Sequence, residues 1–137
     1  MTNEDAYSEL STYTLSHKGP EFLHQYIVDA YAAQQATPAE RSVRVAFALI
    51  GLYLHVERRF TGREVQRVHR TLGDRTRDWP TFALPEDRGA LTAADVLVAP
   101  PGDARDRAID AWCRSVWAAY ASSKPAVETL LRQHGVV

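Results

Sequence analysis

Residues 42–57 read SVRVAFALIGLYLHVE, from Ser42 to Glu57, and carry almost no polar face before His55. A helix that is apolar on every side is one that its neighbours surround, and the run is too long for an ordinary strand. Ahead of it, Thr37-Pro38-Ala39-Glu40 has the form of a helix start, with Thr37 as cap, Pro38 in the first turn and Glu40 closing a capping box. The helix is predicted to run from Pro38 to Arg58 or Arg59. Gly51 in its middle costs roughly 1 kcal/mol against alanine, a cost that a close approach by another helix would explain.

Working outward, Phe22, Leu23, Tyr26, Ile27, Ala30 and Tyr31 recur at three- and four-residue steps, so a helix is expected from Pro20 to about Gln35. The very short connection to the central helix makes the two antiparallel neighbours. Asn3 to Ser16 reads as a shorter helix that ends before His17-Lys18-Gly19-Pro20. On the other side, Thr61 and Glu64 form a capping box for a third long helix, with Val65, Val68 and Leu72 inward, stopped by Gly73. Asp78 to Gly89, with Trp79-Pro80 and Leu84-Pro85, has no period and reads as an ordered loop, because Trp79, Phe82 and Leu84 are too apolar to leave in water. Thr92 to Leu97 is a short helix with Asp95 at the capping-box position. Asp103 opens another long helix to about Ala121, with Ile109, Trp112, Cys113, Val116, Trp117 and Tyr120 inward. Ser123 caps a last one, Lys124 to Gln133. The expected fold is therefore all-α: a compact single-domain helical bundle over residues 1–137, with about four main helices, short helices and one ordered Trp/Pro loop.

Composition bounds the function. Apolar content of 45% and charged content of 24% are those of a soluble globular chain. A net charge of −1 gives no reason to expect nucleic acid or an anionic membrane as partner. From Arg58 to Arg77 there are seven arginines against Glu64 and Asp74, and Arg59, Arg63, Arg67 and Arg70 share a helical stripe. Aromatics are not interleaved there and no helix-turn-helix pattern stands out, so a solvated, ion-paired face is expected. Cys113 is the only cysteine, which excludes an intrachain disulfide and a thiolate-built zinc centre. The first residues lack a basic n-region and an apolar core, and the longest apolar run is too short to span a bilayer, so a cytoplasmic location is the expectation. Glycine-rich phosphate loops and a nucleophile elbow are missing from the sequence.

The residues left to carry chemistry are histidines and their neighbours. His24, His55 and His69 fall on three successive long helices, at ends that an up-down bundle brings together. Three imidazoles with a water or carboxylate would suit a divalent metal such as zinc or nickel, with Asp29 and Glu57 as further ligands or orienters. In an enzyme of this kind the metal would activate water, with Asp29 or Glu57 as base and Tyr31 as orienter. The other reading is that each histidine caps a helix or edges the core, bonded to a carboxylate or backbone carbonyl. His24, Gln25, Asp29, Gln34 and Gln35 border one helix, either as a solvated face or as the wall of a small polar-ligand cleft. A homodimeric, non-enzymatic interaction module is the alternative function, because the helix bearing Trp112, Val116, Trp117 and Tyr120 holds more large apolar residues than a small core needs.

Several segments also resemble a bacterial family of uncharacterised proteins, domain-of-unknown-function family 5946. They are Phe22 to Gln34 (FLHQYIVDAYAAQ), Leu52 to Glu57 (LYLHVE), Thr61 to His69 (TGREVQRVH), Trp79-Pro80, and Thr92 to Pro101, together covering about residues 10–121. The resemblance implies a helical fold and no activity. It singles out His24, Asp29, Tyr31, Gln34, His55, Glu57 and His69, which sit in the matching motifs. Relatives carry a cysteine-containing stretch ahead of the histidine segment that is not found here, which counts against a cysteine-plus-histidine metal site. The expected shape is also similar to the damage-inducible type of metal-dependent helical bundle, which gathers three histidines.

Overall fold

In a computed structural model, which describes residues 1–17, 19–75 and 78–137, the described residues form helices and no strand. They are α1 (Asn3–Leu15), α2 (Leu23–Gln35), α3 (Ser42–Arg58), α4 (Gly62–Arg75), α5 (Ala93–Val98), α6 (Asp103–Ala119) and α7 (Lys124–Gln133), with a 3-10 turn at Ala121–Ser123 before the last. Readings that fall on Lys18 and Arg77 lie outside the described residues.

The helix around which the sequence was read is the structural centre. Val45, Ala46 and every residue from Ala48 to Leu54 are buried in α3, and α2, α4, α6 and α7 all pack against it. Each such leucine or isoleucine is worth about 1.5–3 kcal/mol of apolar burial, and with only Phe47 interrupting the run, α3 has no solvent face through its middle. α2, α3 and α6 pack on one another, and α1 covers α2 while also touching α5. One continuous apolar core includes side chains from all seven helices and Phe82 of the long loop. Among the described residues, no helix is long and apolar enough to cross a membrane.

Local signals fixed most of the boundaries. Thr61 and Glu64 exchange both capping-box bonds, at 2.9 and 3.2 Å, and Thr92 and Asp95 form the second box. The residues from 78 to 92 hold no helix, as expected of the Trp/Pro loop. Three starts or stops differ. The α3 helix begins at Ser42, because Glu40 N–H donates to Thr37 O at 3.0 Å and closes a turn before the helix proper. α2 begins at Leu23 instead of Pro20. Phe22 has left-handed backbone (φ 41°), and Gly62 N–H donates to Glu21 O at 2.6 Å, which pins this corner to the start of α4. The guanidinium of Arg63 covers the Phe22 ring at 4.2 Å. Gly73 does not end α4, which continues to Arg75: glycine weakens a helix interior without breaking it.

Candidate functional site

The matching motif on α2 places Gln25, Val28, Asp29 and Ala32 at three- and four-residue steps, on one helical face. Arg44, Phe47/Ala48 and Gly51 take the same spacing on α3. Where these faces meet, α1 and α4 complete a cleft of about 290 Å³ lined by Tyr7, Gln25, Val28, Asp29, Tyr31, Ala32, Arg44, Phe47, Ala48 and His69. Small residues leave it open: Ala32 and Ala48 present only methyl groups, and Gly51 lies one turn further along α3.

Asp29 is the unusual group in this wall. It is 3% exposed. Its Oδ1 accepts from Gln25 Nε2 at 3.2 Å, while Oδ2 has no hydrogen-bond partner. Gly51 explains how it fits: a Cβ there would overlap Asp29 Oδ2, far inside van der Waals contact. The close approach to Gly51 is made by another helix, as expected, through the carboxyl side chain of Asp29 on α2. Among the described residues no cation pairs with Asp29, and burial holds its carboxyl well above the usual range, with the Gln25 bond opposing the shift.

The network continues to α4. His69 Nε2 lies 2.8 Å from Phe47 O; a carbonyl only accepts, so Nε2 carries the proton. Nδ1 of the neutral ring is then an acceptor, and Gln25 Nε2 approaches it at a long 3.5 Å. Both protons of the Gln25 amide are thereby directed, one to Asp29 and one to His69. Burial lowers the His69 imidazole to about 4, and its ring stacks on Phe47 with centroids 4.7 Å apart. Across the cleft, Tyr7 and Tyr31 stack at 4.0 Å and 6°. Burial raises the Tyr7 phenol, partly opposed by Ser11. Arg44 stands at the open side, its side chain 64% exposed, with Nε 3.7 Å from Glu40 Oε2.

The other expected residues are elsewhere. Nδ1 of His24 sits 3.0 Å from Thr14 Oγ1, tying α2 to α1. His55 stacks on Tyr26 at 3.7 Å, and its Nε2 lies 2.9 Å from Asp110 Oδ1 on α6. That contact is out of line for a hydrogen bond, leaving Nε2 without a directed partner. It is an electrostatic contact, and burial lowers His55 more than Asp110 raises it. The three imidazoles therefore face α1, α6 and α3 in turn and do not converge. Among the described residues, no group of three or more His, Cys, Asp or Glu side chains is placed to hold a metal ion; the three imidazoles make separate helix-to-helix contacts, which lend no support to the zinc or nickel arrangement read from the sequence. Glu57 accepts from Trp117 Nε1 at 2.9 Å and from Lys124 Nζ at 3.1 Å, bonds that lower its carboxyl. It does not line the cleft. Of the three candidates for catalysis, only Asp29 and Tyr31 do.

Gln34, also in the motif, is a connector. Its Oε1 accepts from Trp112 Nε1 at 3.0 Å, and its Nε2 donates to Leu91 O at 2.6 Å and Arg88 O at 3.3 Å. Arg88 in turn donates to Gln34 O and Ala36 O at the end of α2. Cys113 is buried, its thiol pushed up by burial and by Asp29, so it is not poised as a nucleophile. Tyr7, Arg44 and Phe47 were not among the sequence candidates. The available signal was Arg44, a lone charge inside an apolar run and in register with Gly51.

No curated protein and no solved structure matches the chain. The model of one family, the Family of unknown function (DUF5946), matches residues 4–121, a span that holds every cleft-lining residue. The chain belongs to the DUF5946 family.

Proposed function

We propose that this protein binds a small organic molecule in the cleft between α1, α2, α3 and α4. The observation that carries the reading is Asp29, a buried carboxyl in the cleft wall with, among the described residues, no cation beside it and one oxygen unpartnered. Burying such a group costs stability that an apolar residue would not. Its hydrogen bond fixes Gln25, and Gln25 uses both amide protons inside the wall. Asp29 thus positions a binding group and does not itself touch the ligand, its Oδ2 being covered.

A divalent metal is a poorer occupant, because among the described residues no group of three or more His, Cys, Asp or Glu side chains is placed to hold one. The homodimeric alternative loses its motive, since Trp112, Val116, Trp117 and Tyr120 are buried within the chain. The test is a ligand-observed NMR screen of small fragments against wild type and Ala32→Trp, which fills the cleft. Hits that vanish in A32W, with its melting temperature near wild type, support the reading. Hits that persist in A32W would refute it, as would the absence of hits.

A further inference from the structure

We propose that the ligand of this cleft is a small organic monoanion: a carboxylate seated on Arg44, with a flat apolar body against the paired rings of Tyr7/Tyr31 and Phe47/His69. This rests on the binding reading above and adds the charge and shape of the molecule.

Three lining side chains have a formal charge to offer, Asp29, Arg44 and His69. His69 is neutral by its own hydrogen bond, since Nε2–H is spent on a backbone carbonyl and the ring lies in apolar packing. Asp29 has no cation beside it among the described residues and is shut from solvent. That leaves Arg44 as the exposed ionised group of the cleft, which therefore presents net positive charge. A cationic ligand has no anion it can reach among the lining side chains: the unpartnered Asp29 oxygen lies under the Gly51 backbone. An anion has a planar guanidinium suited to two-point contact with a carboxylate. The contact from Glu40 is loose, at 3.7 Å and half in water, an arrangement of little strength that a ligand carboxylate can displace. Around Arg44 the lining is mainly apolar or aromatic: Tyr7, Val28, Tyr31, Ala32, Phe47 and Ala48. A bare inorganic anion would leave those walls unused, whereas a ring of six carbons beside the carboxylate would cover them.

The experiment is calorimetric titration of the full chain with phenylacetate, with its neutral isostere phenylacetamide, and with the cation phenethylamine. Phenylacetate is expected to bind roughly tenfold or more tightly than the amide, the order of one charge-assisted hydrogen-bond pair. Arg44→Gln should erase that ratio, with affinity for the amide and melting temperature unchanged. Glu40→Gln should strengthen phenylacetate binding by about twofold, as removal of a weak competing ion pair would. Equal or tighter binding of the amide or the amine, or an unchanged ratio in R44Q, would overturn the charge assignment while leaving the cleft as a binding site, provided A32W still abolishes the fragments. If no compound binds in the cleft, both the assignment and the binding reading fall.

Discussion

The two sides of α2 solve the same problem in opposite ways. Towards α6 the polar side chain of Gln34 and the backbone of Ala33 find partners. Gln34 bonds Trp112 and two loop carbonyls, and the Tyr120 hydroxyl donates to Ala33 O at 2.6 Å. Towards α3 and α4, a carboxyl is buried with one oxygen unanswered, and its neighbours are arranged beside an open cleft. Satisfied buried polar groups hold a fold in one arrangement. An unsatisfied one in a cavity wall weakens the fold, which is why the first side reads as architecture and the second as a site.

The largest expected effect is at the junction itself. Gly51→Ala should destabilise the protein by about 3 kcal/mol in chemical denaturation, because the added methyl has no space beside Asp29. Adding Asp29→Ala should recover much of that loss, the mark of a directly coupled pair. Additive costs would show that the crowding lies elsewhere.

Next is the satisfied side. Gln34→Ala should cost about 2 kcal/mol in the same assay, because it strands the buried Trp112 N–H and frees the loop at Arg88 and Leu91. A loss of only a few tenths would mean that water replaces the amide and that the contrast between the two sides is weaker than drawn.

Asp29→Asn sharpens the comparison through pH. In the folded protein the Asp29 carboxyl is raised above its ordinary 3.8, so the unfolded chain gives up that proton first, and the group's stabilising contribution falls as pH rises above about 4. His69 works in the other direction. Lowered from 6.5 to about 4, it favours the folded state above 6.5 and loses that contribution as pH falls towards 4. The two slopes oppose each other in wild type. D29N should therefore show stability climbing more steeply between pH 4 and 6.5 than wild type does, and His69→Gln should flatten or invert the climb, read from denaturant midpoints across that range. Identical pH profiles for wild type and D29N would place Asp29 in an environment unlike the one described. The smallest effect is expected at Lys124→Ala, whose half-exposed contact with Glu57 should leave the thermal midpoint almost unmoved, since Trp117 N–H still holds Glu57.

How much of this was legible in the sequence follows from what periodicity encodes. The apolar run through α3, the Thr61 and Thr92 capping boxes and the start of α6 at Asp103 depend on residues within a few positions of one another, and each appears where it was read. Thr37 misled because a turn from Thr37 to Glu40 satisfies the same local preferences as a helix start. The site was less legible, because its parts meet across helices. Periodicity places His24, His55 and His69 on their helices without saying which helix each one faces, and they face three different partners. Asp29 read as one polar group bordering an apolar stripe. That it turns inward depends on a missing side chain at Gly51, 22 positions on. Gly51 was recognised as a place of close approach by another helix, and which side chain of that helix approaches it could not be read from α3 alone.

The most direct measurement is protein-observed NMR of the labelled chain, titrated with whichever fragment binds tightest. The account predicts that backbone signals of Tyr7, Gln25, Tyr31, Arg44, Phe47 and His69 move together and saturably, while those of Gln34, Trp112 and Glu57 stay in place. Movement centred on Gln34, Trp112 or His55, or no saturable movement at the cleft residues, would contradict it.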